Sequence, residues 1–202
     1  MSTERRMRMT FKENIEKSEL TEYPVSAFHG EIVLIDNHDK LEKCLPKLRS
    51  ADVLGFDTET KPSFRKGRNN RIALLQLSDS NIAYLLRVSK IGLPPEIVDI
   101  LSDSNITKVG VAIHDDIKGL KAIKKFREDG FIELQEYVRD FGILSSGLKK
   151  LSAIVLGFRI SKRQQVSNWE SDYLSEAQLN YAATDAWVCY EIYRKLNNHK
   201  PA

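Results

Sequence analysis

The stretch VLGFDTET, residues 53–60, constrains this chain more than any other. Its Val, Leu, Phe and Thr content reads as a β-strand meant for burial. Asp57 and Glu59 stand two positions apart in it and therefore project from one face, because strand side chains alternate in direction. Two like charges held that way repel unless something positive lies between them. The candidate is a metal ion. Gly55, next to the pair, could let another backbone or a ligand approach closely. An isolated D-x-E is equally compatible with a strand end carrying two solvated acids, so the pair needs support from elsewhere in the chain.

Further acids stand at two places. In VGVAIHDDIKGL (109–120) a buried apolar run ends in Asp115-Asp116 just where helical spacing begins at Ile117 and Leu120. Strand ends that open into helices are where α/β proteins place ligands, although two acids there also suit a helix cap and its dipole. The expected division puts Asp115 nearer the cap and directs Asp116 into the site. In YAATD (181–185), Tyr181 and Asp185 are four residues apart and so share one helix face. Ala182 and Ala183 let that helix come close to a sheet. Taken alone, this pentapeptide would also serve as a hydrogen-bonded surface pair.

The pattern along the chain predicts an α/β fold with a mixed five- to six-stranded sheet flanked by helices. Residues 1–27 read as a polar leader, with a helical turn pairing Phe11 and Ile15, ahead of a domain over 28–202. GEIVLID (30–36) reads as a strand and HDKLEKCLPKL as a short helix interrupted or kinked at Pro46. The segments 52–59, 71–79 and 81–88 form an expected antiparallel meander, the last two joined by a turn at Ser80 and Asn81. Helix 94–103, strand 108–113, helix 115–126 and a strand with its exit over 131–141 follow. Residues 147–157 read as a helix stopped by Gly157. Residues 174–198 form the clearest helix, opened by the capping-box pair Ser175 and Gln178.

Four carboxylates from three elements, together with a phenol, specify more than any one motif. Crowding four anions without counter-charge would be prohibitive, whereas two divalent cations neutralise them formally. All-oxygen ligands suit Mg²⁺ or Mn²⁺ rather than zinc. The two cysteines, Cys44 and Cys189, lack zinc-site or disulfide spacing.

At this point the sequence resembles the DEDDy class of 3′–5′ exonucleases, with a DnaQ-like, ribonuclease H-like fold, and within it the Werner-type exonuclease domains. The resemblance covers residues 28–197: GFDTET is similar to the first exonuclease motif, KVGVAIHDDIKGL to the second and SNWESDYLSEAQLNYAATDAWVCYEIY to the third. It implies metal ligation by Asp57, Glu59, Asp116 and Asp185, and positioning of the attacking water by Tyr181. The position of Asp115 is often non-acidic in the family, and spacing to Leu120 selects Asp116. The sister class places a histidine slightly upstream of the last aspartate; none of His29, His38, His114 or His199 lies there.

A net charge of +3 is too mild to mark a polyanion binder, so local clustering must carry that argument. TKPSFRKGRNNR follows the D-x-E strand with Lys61, Arg65, Lys66, Arg68 and Arg71, and no acid stands between Thr60 and Ser78. This reads as a clamp for backbone phosphates, with Phe64 available to stack on a terminal base. A second basic stretch, FRISKRQQVSNW, brings Arg159, Lys162 and Arg163 ahead of the last helix. Trp169, Tyr190 and Tyr193 are expected to pack rather than bind.

The expectation is a metal-dependent 3′–5′ exonuclease acting on the 3′ end of DNA, releasing nucleoside 5′-monophosphates. An RNA 3′-end trimmer similar to ribonuclease D stands as the alternative, as does a non-catalytic nucleic-acid-binding module. A glycosidase would use the D-x-E pair but not the other acids or the basic loops. The polar N-terminus and the lack of a long apolar stretch predict a cytoplasmic protein without membrane association. Any helicase or polymerase partner is expected to be a separate chain.

Overall fold

The computed structural model describes residues 11–61 and 71–199. A six-stranded sheet runs in the order β1-β4-β3-β2-β5-β6, with β1 Glu31–Ile35, β2 Val53–Thr60, β3 Ile72–Ser78, β4 Ile82–Leu86, β5 Thr107–Gly110 and β6 Phe131–Glu133. Strand β3 is antiparallel to β2 and β4, while β1 with β4, β2 with β5 and β5 with β6 are parallel. The expected meander is present as β2, β3 and β4. Its second turn is fixed by the Asp79 carboxylate, which accepts the amides of Asn81 at 2.7 Å and Ile82 at 2.8 Å, the local bonding that makes Asp a turn residue.

Alternation along β2 sorts two cores. Leu54 and Phe56 face one layer, where they meet Leu41, Cys44, Leu45 and Leu48 of α1 (His38–Arg49), Ile97, Ile100 and Leu101 of α3 (Pro95–Ser102), and Leu120 of α4 (His114–Ile123). A short α2 (Val88–Ile91) precedes α3. Helix α1 continues through Pro46 to Arg49. On the other face lies α7 (Glu176–Asn197), started by the expected capping box between Ser175 and Gln178. Gly55 lies against it: a Cβ there would sit 1.9 Å from the Ala186 carbonyl oxygen. The bare glycine therefore lets β2 and α7 touch backbone to backbone.

Three local expectations are refined or changed. Of the strand and exit expected over 131–141, the strand ends at Glu133 and the exit is helical, coiling through α5 (Leu134–Tyr137) and a tighter turn, Val138–Phe141. Glu133 starts this coil by accepting the Gln135 amide at 3.0 Å, and Leu134 and Val138, four apart, are both fully buried. Residues 147–157 form α6 (Leu148–Leu151) followed by a wider turn over Ser152–Leu156, closed by Gly157 at φ +82 as expected. No helical turn pairs Phe11 with Ile15. Phe11 stands edge-on to Phe141 at 6.4 Å, and Ile15 and Leu20 are buried with Ala153. The stretch ahead of β1 is fastened further by Leu144, whose amide donates to the Glu13 carbonyl at 2.7 Å. No helix of the described residues is long and apolar enough to cross a membrane.

Candidate active site

Residues Asp57 and Glu59 leave β2 on the side facing α7, and Asp185 of α7 meets them there. Carboxylate oxygens of these three lie within 4.8 Å of one another. The register of β2 on β3 slips between Glu59 and Thr60, an irregularity of the kind that re-aims side chains beside active sites. Asp116 sits in the first turn of α4. It accepts a hydrogen bond from the Thr58 hydroxyl and lies outside the set of three, yet its charge acts on both Asp57 and Glu59.

Crowding and burial together make these acids hard to ionise. Burial, then the charges of Asp185 and Asp116, hold the Asp57 carboxyl well above the usual carboxylate range. Burial, then Asp57, Asp185 and Asp116, push Glu59 up to about 10. Asp185 is raised to about 7 by burial, against the opposing pull of Tyr181 and the cation of Lys162. Asp116 is raised to about 6 by burial, partly offset by the Thr58 bond. Such a cluster is costly until a cation compensates it. One oxygen of Asp185, Oδ1, is buried and has no hydrogen-bond partner among the described residues. An orphaned acceptor beside two more carboxylates is a donor set that fits a hard divalent cation.

Tyr181, 9% exposed, packs its ring 6.0 Å from that of buried Trp169. Burial, followed by the charges of Asp185 and Glu59, drives its phenol far above the ordinary tyrosine range. The hydroxyl therefore keeps its proton and is a donor, not a base. Trp169 is core, as expected from its apolar body.

Both aspartates fall in the first turn of α4, Asp115 nearer the cap, and neither supplies the cap, which is Ile113 and has no side-chain bond. The amides of Ala112 and Ile113 donate instead to the Glu133 carboxylate, each at 2.9 Å. The Nε of Arg159 donates to the Tyr23 carbonyl at 3.1 Å and ties down the N-terminal stretch. Arg163 is exposed. Lys61, at the end of β2, forms an exposed ion pair with Glu170 at 3.2 Å. Phe64, Arg65, Lys66 and Arg68 lie outside the described residues.

Structure also adds residues that the motifs did not reveal. Gln76 pairs with Asp57 across β2 and β3, so its side chain shares that face. It is fully buried, and neither of its amide atoms has a partner among the described residues. A glutamine within the apolar run IALLQLS was the one available signal. Beside Asp116 a cleft of about 960 Å³ is lined by Thr60, Lys61, Arg71, Lys118 and Glu170 among others.

Comparison with known proteins agrees with this geometry. A family model described as 3′–5′ exonuclease matches residues 32–200. The mouse bifunctional 3′–5′ exonuclease/ATP-dependent helicase WRN is 33% identical over 158 residues, 75% of this chain and 11% of that protein. A 3′–5′ exonuclease of Arabidopsis thaliana is 31% identical over 72% of this chain and 52% of its own length. The chain thus spans from about a tenth to about half of these relatives. Among solved structures, the Nibbler EXO domain of Aedes aegypti superposes with a TM-score of 0.77 at 25% identity, covering 87% of this chain and 92% of that one. Escherichia coli RNase D, an exoribonuclease, shares the fold with a TM-score of 0.72 at 24% identity, over 82% of this chain and 44% of that one. The chain, with its mixed six-stranded sheet of ribonuclease H-like fold, is thus a member of the 3′–5′ exonuclease family.

Proposed function

We propose that the chain removes nucleotides from the 3′ end of DNA by metal-dependent hydrolysis of phosphodiester bonds, releasing nucleoside 5′-monophosphates. The observation that carries this reading is the meeting of Asp57, Glu59 and Asp185 within 4.8 Å around an Asp185 oxygen that has no partner among the described residues. Asp57, Glu59, Asp185 and the adjoining Asp116 would hold two divalent cations, Mg²⁺ or Mn²⁺. Bound there, such ions supply an activated water and charge stabilisation at the departing 3′ oxygen.

The chain's own groups do the rest. Tyr181, fixed against Trp169 and protonated throughout the physiological range, donates a hydrogen bond that aims the attacking water. Thr58 holds the Asp116 carboxylate in place. Lys61, Arg71 and Lys118 line the cleft beside Asp116 and suit the phosphates of an entering strand, with Phe64, Arg65, Lys66, Arg68 and Arg163 as further contacts from the sequence.

DNA is preferred because the likeness to the helicase-linked exonuclease WRN extends over three quarters of this chain. Trimming of RNA is the second reading, favoured by the shared fold of RNase D. The test is digestion of matched 3′-labelled DNA and RNA strands with Mg²⁺, Mn²⁺ or chelator. Shortening of DNA that needs metal and disappears in Asp57→Ala supports the proposal. Faster cleavage of RNA moves it to the second reading, and cleavage that survives Asp57→Ala rejects this centre.

A further inference from the structure

The β5–α4 junction contains the one non-glycine residue with positive φ among the described residues, Ala112 at φ +58. A side chain rarely stays there without support, since Cβ crowds the following carbonyl. Support comes from another strand. Both oxygens of the Glu133 carboxylate are engaged: Oε1 accepts the Ala112 amide at 2.9 Å and Oε2 the Ile113 amide at 2.9 Å. Glu133 is in turn held by its place opposite Gly110 in the β5–β6 ladder and by the Gln135 amide, 3.0 Å from Oε1.

From this the geometry points to Glu133 as a positioning residue: its carboxylate clamps the left-handed turn at Ala112 and thereby sets the first turn of α4, which presents Asp116 to the other acids. The inference rests on the proposed role of Asp116 in holding metal. Asp116 is three positions beyond the clamped amide of Ile113, less than one helical turn, so a change in the turn's direction displaces the carboxylate directly. The charge-assisted bonds replace the side-chain cap that α4 lacks.

The clamp makes a prediction separable from simple stability. In Glu133→Gln one oxygen becomes a donor and faces an amide it cannot accept. Mn²⁺ affinity, measured by calorimetry on the intact chain, is expected to fall about tenfold, the scale of lost support behind a metal ligand. Adding Ala112→Gly, which favours the same turn without help, is expected to recover most of that loss. Ala112→Val is expected to reproduce the defect with Glu133 untouched, and amide exchange at Ala112 and Ile113 to accelerate in Glu133→Gln. Should Glu133→Gln and Ala112→Val both melt earlier yet bind Mn²⁺ within twofold of the parent, while Asp116→Asn binds it weakly, the clamp is refuted and the proposed function stands. Unchanged Mn²⁺ affinity in Asp116→Asn removes what the clamp would position and overturns the inference together with that assignment, whereas cleavage by the parent protein still scores the activity.

Discussion

Gly55 and Ala186 bring β2 and α7 into backbone contact: a Cβ on the glycine would come within 1.9 Å of the Ala186 carbonyl oxygen. The acid cluster depends on this approach, because Asp57 and Glu59 ride on β2 and Asp185 on α7. Gly55→Ala is expected to destabilise the fold by ~1–3 kcal/mol through overpacking and to abolish cleavage by moving α7 outward. Chemical denaturation and the cleavage assay read the two effects. Gly147→Ala, where nothing lies within 4 Å, is the control and is expected to stay within ~0.5 kcal/mol.

Metal-free protein is expected to lose stability as pH rises. Folding raises Asp116 to about 6, Asp185 to about 7 and Glu59 to about 10, so the folded chain retains protons that the unfolded chain releases near pH ~4. Each contribution is complete below that unfolded value and disappears as pH climbs through the folded one. Melting temperature in chelator is therefore expected to decline between pH ~5 and ~9, and Mg²⁺ or Mn²⁺ is expected to flatten the slope by binding the ionised form. A metal-free melting temperature that rises over this interval would contradict the charge balance described.

Tyr181→Phe keeps the ring against Trp169 and removes only the hydroxyl. Stability is expected to change by less than ~1 kcal/mol, while turnover falls on the order of 100-fold through loss of water orientation. Metal affinity measured by calorimetry should stay at the parental value. A large loss of affinity would instead make the phenol part of the metal-holding set.

Gln76 offers a contrast in sign. In Gln76→Leu an amide with no partner among the described residues is replaced by an apolar side chain, so metal-free stability is expected to hold or rise by up to ~1 kcal/mol. Gln76→Glu places another carboxylate opposite Asp57 and is expected to depress stability increasingly as pH rises above ~4, because the folded site resists its ionisation. Denaturation of both variants in chelator at two pH values separates these outcomes.

Legibility followed the range over which each signal acts. Alternation placed Asp57 and Glu59 on one face of β2, and helical spacing placed Tyr181 and Asp185 together on α7; both are local consequences of chain geometry. The capping pair Ser175 and Gln178 was equally readable. What could not be read depended on partners far along the chain. Glu133 is the strand residue the pattern suggested, but that pattern gave no sign that its carboxylate accepts the amides of Ala112 and Ile113. Arg159 stood in a basic stretch, and only the fold shows that its Nε donates to the Tyr23 carbonyl. Gln76 carried no motif, and only strand register sets it opposite Asp57.

The distribution of the acids has a further consequence. Asp57 and Asp185 stand 128 positions apart in the sequence (185 − 57) and meet only after α7 has settled against β2. A divalent ion that needs both would ignore every partly assembled state of the chain. Its uptake would then report completed folding, and a nuclease built this way stays harmless to nearby nucleic acid until its last long helix is home.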